Sequence, residues 1–556
     1  MRRHPDDVDA LRLLGHVDLR RSRGEEAAKS LRRALALVPD HAETLNALGV
    51  AWLHVAPAAA DIVCRRALSV DSGSADALYN RATLAAARGD EALRRVLLQD
   101  AVGRRPDHVS AWNGLGATFQ LAGDQAGADR AWRIATTLDP ARAEVLANIG
   151  GQLWKTRLPE AAAIAAGRVL ALDPHSVTGL TARALAYRDL DRHDEALVDS
   201  RRALALAPSD VVVLCNLGIC LMSDVRPREA AGVQSRALAV DPEHAEARWN
   251  RGIARLQSGN DGNGWRDYAW RWRMPGFTSP ARGFRQPRWS GSLRPGQTIL
   301  LHAEQGLGDT LQFLRYAPLI KAAGARIVLE VQPELRRLLD GWPSVDRLVT
   351  RGDPIPTFDS HAALMDLPEV LGTAPVTGPG CTPYLGTSAA FDHPLLGTRD
   401  LRVGLVWAGG TAHRNDRRRS LPSPVAEHLA DRLVDLPGVR LFTLQLGRPM
   451  LEGRARAEAI DLSDRLTDMA ATAAALSRLD LLVTVDTAIA HLSGALARPT
   501  FVLLARDADF RWMLDREDSP WYPTLRLFRQ ASAGSWTDVA ERVVVAVEAL
   551  TRTARE

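Results

Sequence analysis

Residues 174–208 read PHSVTGLTARALAYRDLDRHDEALVDSRRALALAP, a stretch that opens and closes on proline 34 residues apart. The same interval separates Pro106, Pro140, Pro174, Pro208 and Pro242. Pro39 extends the series backward, with Ser72 in the missing slot and one residue deleted. A strict period of this length predicts an array of repeated supersecondary units, each burying its apolar face against the next. Proline cannot continue a helix, so each one is expected to close a unit. Registering the chain on the prolines aligns Leu11, Leu45, Leu78, Trp112, Leu146, Leu180 and Leu214 in one column. A second column holds Gly15, Gly49, Gly116, Gly150, Gly218 and Gly252, with Ala82 and Ala184 as substitutes, and a third Ala27, Ala128, Ala162, Ala196 and Ala230. The pattern stops near Leu256, so any chemistry is expected after it.

A large residue, then Leu-Gly four positions on, then small residues where two helices touch, then a closing proline: this order resembles the tetratricopeptide repeat. The resemblance covers roughly residues 8–256, about seven and a half repeats. Arrays of this kind present a long concave surface, which implies a protein or peptide partner. Asn80, Asn148, Asn216 and Asn250 share one repeat position, two before the Gly/Ala column. Stacked amides there would hydrogen-bond an extended peptide's backbone, as in the similar O-GlcNAc transferases, or merely solvate a helix face.

The bulk numbers narrow the classes. A chain of 556 residues exceeds one core, and 46% apolar and 24% charged content is ordinary for a soluble protein. A net charge of +4 carries no nucleic-acid footprint. Lysine occurs only at Lys29, Lys155 and Lys321, so cationic chemistry after the repeats falls to arginine and histidine. Cys64, Cys215, Cys220 and Cys381 make no Cys-x-x-Cys pair, so neither a disulfide framework nor a zinc site is expected. The first residues lack a signal peptide's apolar stretch and no run suggests a membrane span; the expected location is the cytoplasm. The aromatic patch Gly264–Trp272 places Trp265, Tyr268 and Trp272 on one helical face, either to cap the array or to stack on bases. Pro275–Pro295, rich in Gly, Pro and Ser, reads as a linker.

From Thr298 the pattern alternates. Thr298–Ala303, Arg326–Val331, Leu401–Trp407, Arg440–Leu446, Leu481–Val485 and Thr500–Leu504 read as buried parallel strands with helices between, the first helical stretch from Leu311. Two such units predict two facing doubly wound sheets with ligands at the strand ends. Three loops there draw notice. Gln305-Gly306-Leu307-Gly308-Asp309-Thr310 lacks the third glycine of a dinucleotide fingerprint, and Asp309 would oppose a pyrophosphate, so NAD is disfavoured. Asp309 either caps the following helix or takes a proton from an attacking hydroxyl. Trp407–Pro422 carries His413, Arg414, Arg417, Arg418 and Arg419, which suits a diphosphate unless the run is only solvated. Val485–His491 opens a helix whose free N–H groups suit a phosphate, with His491 near it, unless this is a capped helix with a core histidine.

These segments, within residues 298–545, resemble the heptosyltransferase family of GT-B glycosyltransferases. The first loop matches its Gly-Asp turn, and Asp486-Thr487-Ala488-Ile489-Ala490-His491-Leu492 matches its Asp-Thr-Gly-x-x-His segment, with Ala488 in place of glycine. Arg419 stands where the family has a lysine before a proline, here Pro422. The resemblance implies Asp309 as base, Gln305, Gly306 and Gly308 as the acceptor loop, and Arg419, Arg418, His413, Asp486, Thr487, Ala488 and His491 around the donor's phosphates. Gln445, Trp407 and Gly409 are candidates for the donor's base or sugar. Asp509–Trp512 and Pro520–Pro523 offer aromatics for a ligand or for the core. The first unit is shorter than the family's acceptor domain, so the array is expected to supply part of the acceptor site.

The expected layout is a repeat array over residues 1–258, a capping helix and linker over 259–296, an acceptor-side Rossmann-like unit over 297–395 and a donor unit over 396–556. That order is similar to the O-GlcNAc transferases. It implies an inverting, metal-independent glycosyltransferase, with a nucleotide sugar as substrate and no further cofactor. The alternative is a non-catalytic scaffold with a degenerate transferase-like half. Repeat arrays often dimerise, so a homo-oligomer is admitted.

Overall fold

The structure, a computed structural model, describes residues 7–259, 261–274, 277, 279, 282–372, 382–387, 391, 397, 399–411, 415–449 and 451–553. The chain divides into two compact units, Met1–Ala207 and Pro208–Glu556.

The first unit is six helix pairs, from Val8–Arg20 with Gly24–Leu37 to Val177–Asp189 with His193–Leu206. Each proline of the period stands two residues beyond a closing helix, as at Pro106 after Arg104 and Pro140 after Leu138. The alanine column is the crossing point of each pair: Ala27, Ala128, Ala162 and Ala196 are buried. The glycine column faces it at close range. A Cβ on Gly116 would stand 2.4 Å from Nε1 of Trp132, and one on Gly49 would stand 2.4 Å from Sγ of Cys64. A further column emerges at the tight turn inside five of the pairs described, where the backbone is left-handed: Ser22, Gly89, Gly123, Arg157 and Asp191 have φ between 57° and 78°. Nothing lies within 4 Å of a Cβ added to Gly89 or Gly123, so those glycines serve the backbone, not the packing. Buried charge is paired inside a pair or with a sequence neighbour: Arg183 grips Asp199 at 2.6 and 2.9 Å, and Arg81 reaches Asp61 at 3.2 Å.

The second unit starts with three more repeat helices, Val211–Ser223, Pro227–Val240 and Ala245–Gln257, then the short helix Asp261–Tyr268 and a 3₁₀ turn, Ala269–Arg273. The repeat helices thus run to Gln257, while the last three belong to the compact unit of the α/β part, on which they pack. The Gln257 amide donates to Ala508 O at 3.1 Å, and Trp265 meets Phe313, Phe510 and Trp521 edge-on at 5.6–6.4 Å. The aromatic patch thus packs as a cap. Part of the expected linker is ordered against the first sheet: Trp289 is buried, its N–H donates to His361 O at 2.8 Å, and Arg288 bridges His361 in parallel.

Among the described residues ten strands follow: β1 Thr298–His302, β2 Arg326–Val331, β3 Arg347–Thr350, β4 Ser360–Ala363, β5 Leu401–Val406, β6 Val439–Thr443, β7 Ile460–Asp461, β8 Leu481–Val485, β9 Thr500–Leu504 and β10 Leu525–Arg529. The first sheet runs β3-β2-β1-β4 and the second β10-β9-β8-β5-β6-β7, every pair of neighbours parallel. β8, buried along its whole length, and β1, buried from Ile299 on, read as central strands because both faces are covered. Strand order reverses between β1 and β4 and between β8 and β5, the positions where parallel sheets open a crevice at their carboxyl ends. Among the described residues no helix is long and apolar enough to cross a membrane.

Candidate functional site

The loops after β1, β5 and β8 leave the sheets at those two switch points and line one cavity of about 670 Å³. Gln305, Gly306, Gly308 and Asp309 contribute from the first loop, Gly409 and Arg419 from the second, and Asp486, Thr487, Ala488 and His491 from the third.

The first loop turns straight into a helix, Leu307–Phe313, four residues earlier than the apolar pattern indicates. Asp309 therefore sits inside the first turn. Its Oδ2 accepts from the Gly306 N–H at 3.3 Å, and its Oδ1 accepts from Nη2 of Arg511 at 2.6 Å. Gly308 lies against the third loop: a Cβ there would stand 2.9 Å from Cδ2 of His491 and 3.4 Å from Cα of Ala488. Two helix starts thus meet at two small residues, Gly308 and Ala488.

The second loop is braced from below. The Gln445 amide oxygen accepts from the N–H of Trp407 at 3.0 Å and of Ala408 at 2.8 Å, and its nitrogen donates to Ala408 O and Leu446 O. Gln445 lines the cavity, but its hydrogen-bonding capacity is spent on the loop's backbone instead of facing a base. Trp407 is buried among the β5 and β8 side chains. Ser420 Oγ accepts from Gly409 N–H at 3.0 Å. The Arg419 guanidinium lies on Gly409, where a Cβ would come within 2.6 Å of Nη2, and Nη1 donates to Asp486 O at 3.2 Å. Its Nε is buried with no hydrogen-bond partner among the described residues. Arg418 pairs with Asp507 at 2.8 Å. His413 and Arg414 lie outside the described residues. Lys321 pairs with Asp346 and does not line the cavity.

Helix Ala488–Ala495 opens after Thr487, whose side chain makes no cap bond and instead lies 3.3 Å from Thr484 Oγ1. His491 stacks on Trp512 at 5.3 Å, and its Nδ1 sits 3.1 Å from the Tyr522 hydroxyl. Burial, with Arg511 and Arg315 adding to it, holds the imidazole well below its usual range, so His491 meets a ligand as a neutral hydrogen-bonding group. Burial, helped by Asp509, pushes the Asp486 carboxyl up to about 6. The aromatics of the later segments are core: Phe510, Trp512, Trp521 and Tyr522 are buried.

Sequence reading missed the arginines that join the two sheets. Arg511 reaches Asp309, Asp509 and Gln312, and Arg315 donates to Trp521 O at 2.8 Å. Both lie among aromatics, which draw the eye to stacking and away from a carboxylate about 200 residues off. In the array, the Asn80 amide donates to Asn46 at 2.7 Å and Asn148 to Asn113 at 2.8 Å, so these side chains link successive repeats. Asn216 is half-buried; the Asn250 amide nitrogen is buried without a partner among the described residues.

The family model for the tetratricopeptide repeat matches residues 2–42, 12–54 and 215–263. The chain is 27% identical over 508 residues to protein FlbA of Caulobacter vibrioides (strain ATCC 19089 / CIP 103742 / CB 15), spanning 79% of this chain and 84% of that protein. Among solved structures, PilF of Pseudomonas aeruginosa is 22% identical over 37% of this chain and 93% of its own, with a TM-score of 0.33. A tetratricopeptide repeat protein of Parabacteroides merdae ATCC 43184 is 14% identical over 44% and 98%, with a TM-score of 0.36. The helix pairs, their proline period and the family model agree: the N-terminal array of this chain is built of tetratricopeptide repeats.

Proposed function

We propose that the C-terminal half is an inverting, metal-independent glycosyltransferase of the GT-B kind. It would move a hexosyl, heptosyl or N-acetylhexosaminyl group from a nucleotide-diphosphate donor to a protein or glycan presented by the repeats. One observation carries this reading: a single cavity gathers a carboxylate from the first sheet's loop and an arginine and a helix N-terminus from the second. The donor's diphosphate would lie between Arg419 and the N–H groups that follow Thr487, with His491 donating as a neutral imidazole. The acceptor hydroxyl would attack the anomeric carbon from the face opposite the diphosphate. Asp309 would take its proton as the bond to the leaving phosphate breaks. The arginine and the helix dipole would neutralise the departing charge, the largest electrostatic demand of the step.

A donor-hydrolysis screen across nucleotide sugars, with a thermal-shift panel of nucleotides, identifies the donor. With that donor, Asp309→Asn should lower turnover about 10²–10⁴-fold while nucleotide binding persists. Full turnover in that variant would remove Asp309 from the step. The rival, a non-catalytic scaffold, draws on one observation: both oxygens of Asp309 are engaged. Stabilisation by no nucleotide would favour it.

A further inference from the structure

Arg511 stands between the two functions assigned to the cavity. It belongs to the segment after β9, on the donor side, yet its guanidinium closes on the Asp309 carboxylate of the acceptor side at 2.6 Å. Nη1 holds Asp509 at 2.7 Å and Nε holds Gln312 at 2.7 Å, so the fork is fixed in place and shared between the two sheets. Its side chain is 9% exposed, and that exposed part lines the same cavity as Arg419 and Thr487. Oδ1 of Asp309 accepts from Arg511 and Oδ2 from the Gly306 N–H, so both oxygens are already engaged where an incoming hydroxyl would need one. A diphosphate entering the cavity carries more charge than one carboxylate and has the oxygen geometry a guanidinium matches best.

We propose that Arg511 is a positioning residue that exchanges the Asp309 carboxylate for the donor's diphosphate, so that arrival of the donor releases the base. This rests on the donor site described above and extends it to the order of events. Before the donor binds, the carboxylate is occupied and the acceptor hydroxyl finds no base. After it binds, Oδ1 of Asp309 is open on the side facing the acceptor. Thermodynamic reciprocity then requires that Asp309 weaken diphosphate binding by competing for the same guanidinium.

The test is a double-substitution cycle read as the dissociation constant of whichever of ADP, GDP, UDP and dTDP binds the unsubstituted full chain, measured calorimetrically. Asp309→Asn should tighten binding about five- to tenfold and Arg511→Gln should weaken it about tenfold. With Arg511→Gln already present, Asp309→Asn should change binding less than about twofold, because the competition is gone. If Asp309→Asn tightens binding equally in both backgrounds, plain charge repulsion explains it and the exchange is overturned. Should Arg511→Gln fail to fold, Arg511→Lys replaces it: an ammonium cannot bridge Asp309 and Asp509 as a fork does, so the effect of Asp309→Asn should at least halve, and an unreduced effect overturns the exchange. Failure of all four nucleotides to bind overturns the donor site and the exchange together; binding without coupling overturns the exchange alone.

Discussion

The repeat array and the α/β part use buried charge in opposite ways. In the array, Arg183–Asp199 and Arg81–Asp61 join residues 16 and 20 apart, the first within one helix pair and the second between adjacent repeats. In the α/β part, Arg271 joins Glu304 at 2.8 Å and Asp366 at 2.6 Å, while Arg511 joins Asp309 across 202 residues. Local pairs make stability additive along the chain. Distant pairs concentrate it around the cavity, where removing one partner strands the others.

The largest expected break of this contrast is Arg271→Met. Arg271 is almost wholly buried; burial opposes its charge, but Asp366 and Glu304 outweigh that and hold it protonated. Without it two carboxylates lose their counter-ion, for an expected loss of about 3–5 kcal/mol in the α/β transition. Tryptophan fluorescence during urea unfolding measures it; a loss below about 1 kcal/mol would mean the cluster is no more critical than an array pair. Next comes Asp486→Asn. The folded pKa of Asp486 is raised from its ordinary value to about 6, so the group favours the folded chain at acid pH, and that contribution is lost as pH rises through about 6. The variant should therefore gain on the natural chain between pH 4.5 and 7.5 by about 1–3 kcal/mol, seen as a difference in melting temperature. Equal profiles for the two proteins would leave Asp486 without a shifted proton. The smallest effect belongs to a repeat turn. Val225 takes the left-handed position with φ of 60°, where Gly89, Gly123 and Gly259 stand in other repeats. Val225→Gly should gain about 1 kcal/mol and Gly123→Val should lose as much, measured by thermal unfolding. A loss on Val225→Gly would show that the side chain's contacts matter more than its backbone.

The same contrast governs what the sequence reveals. The array is legible because each repeat restates the same local requirements: Pro174 ends a helix, Gly116 admits Trp132, and neither needs a distant partner. The central strands are legible for the same reason, since β1, β5, β8 and β9 are mostly apolar runs before glycine- or aspartate-bearing turns. β3, β4, β7 and β10 escape notice because they are short, edge-placed or charged, as Arg526 and Arg529 are in β10. Trp289 hides in a linker-like composition, yet its indole is buried and its backbone N–H ties that stretch to His361 of β4. The three loops are visible one by one. Their sharing a cavity depends on strand order, and the role of Arg511 on a partner two hundred positions away; neither leaves a local trace.

Gly308 sets the aperture of the crevice. With a hydrogen where other residues carry a methyl group, it lets the edge of the His491 ring come to rest on the backbone of the opposite loop. A single added carbon would act as a shim, pressing the His491 ring and the Ala488 backbone away from the first loop. Through one hydrogen, position 308 thus sets how closely the first and third loops approach one another.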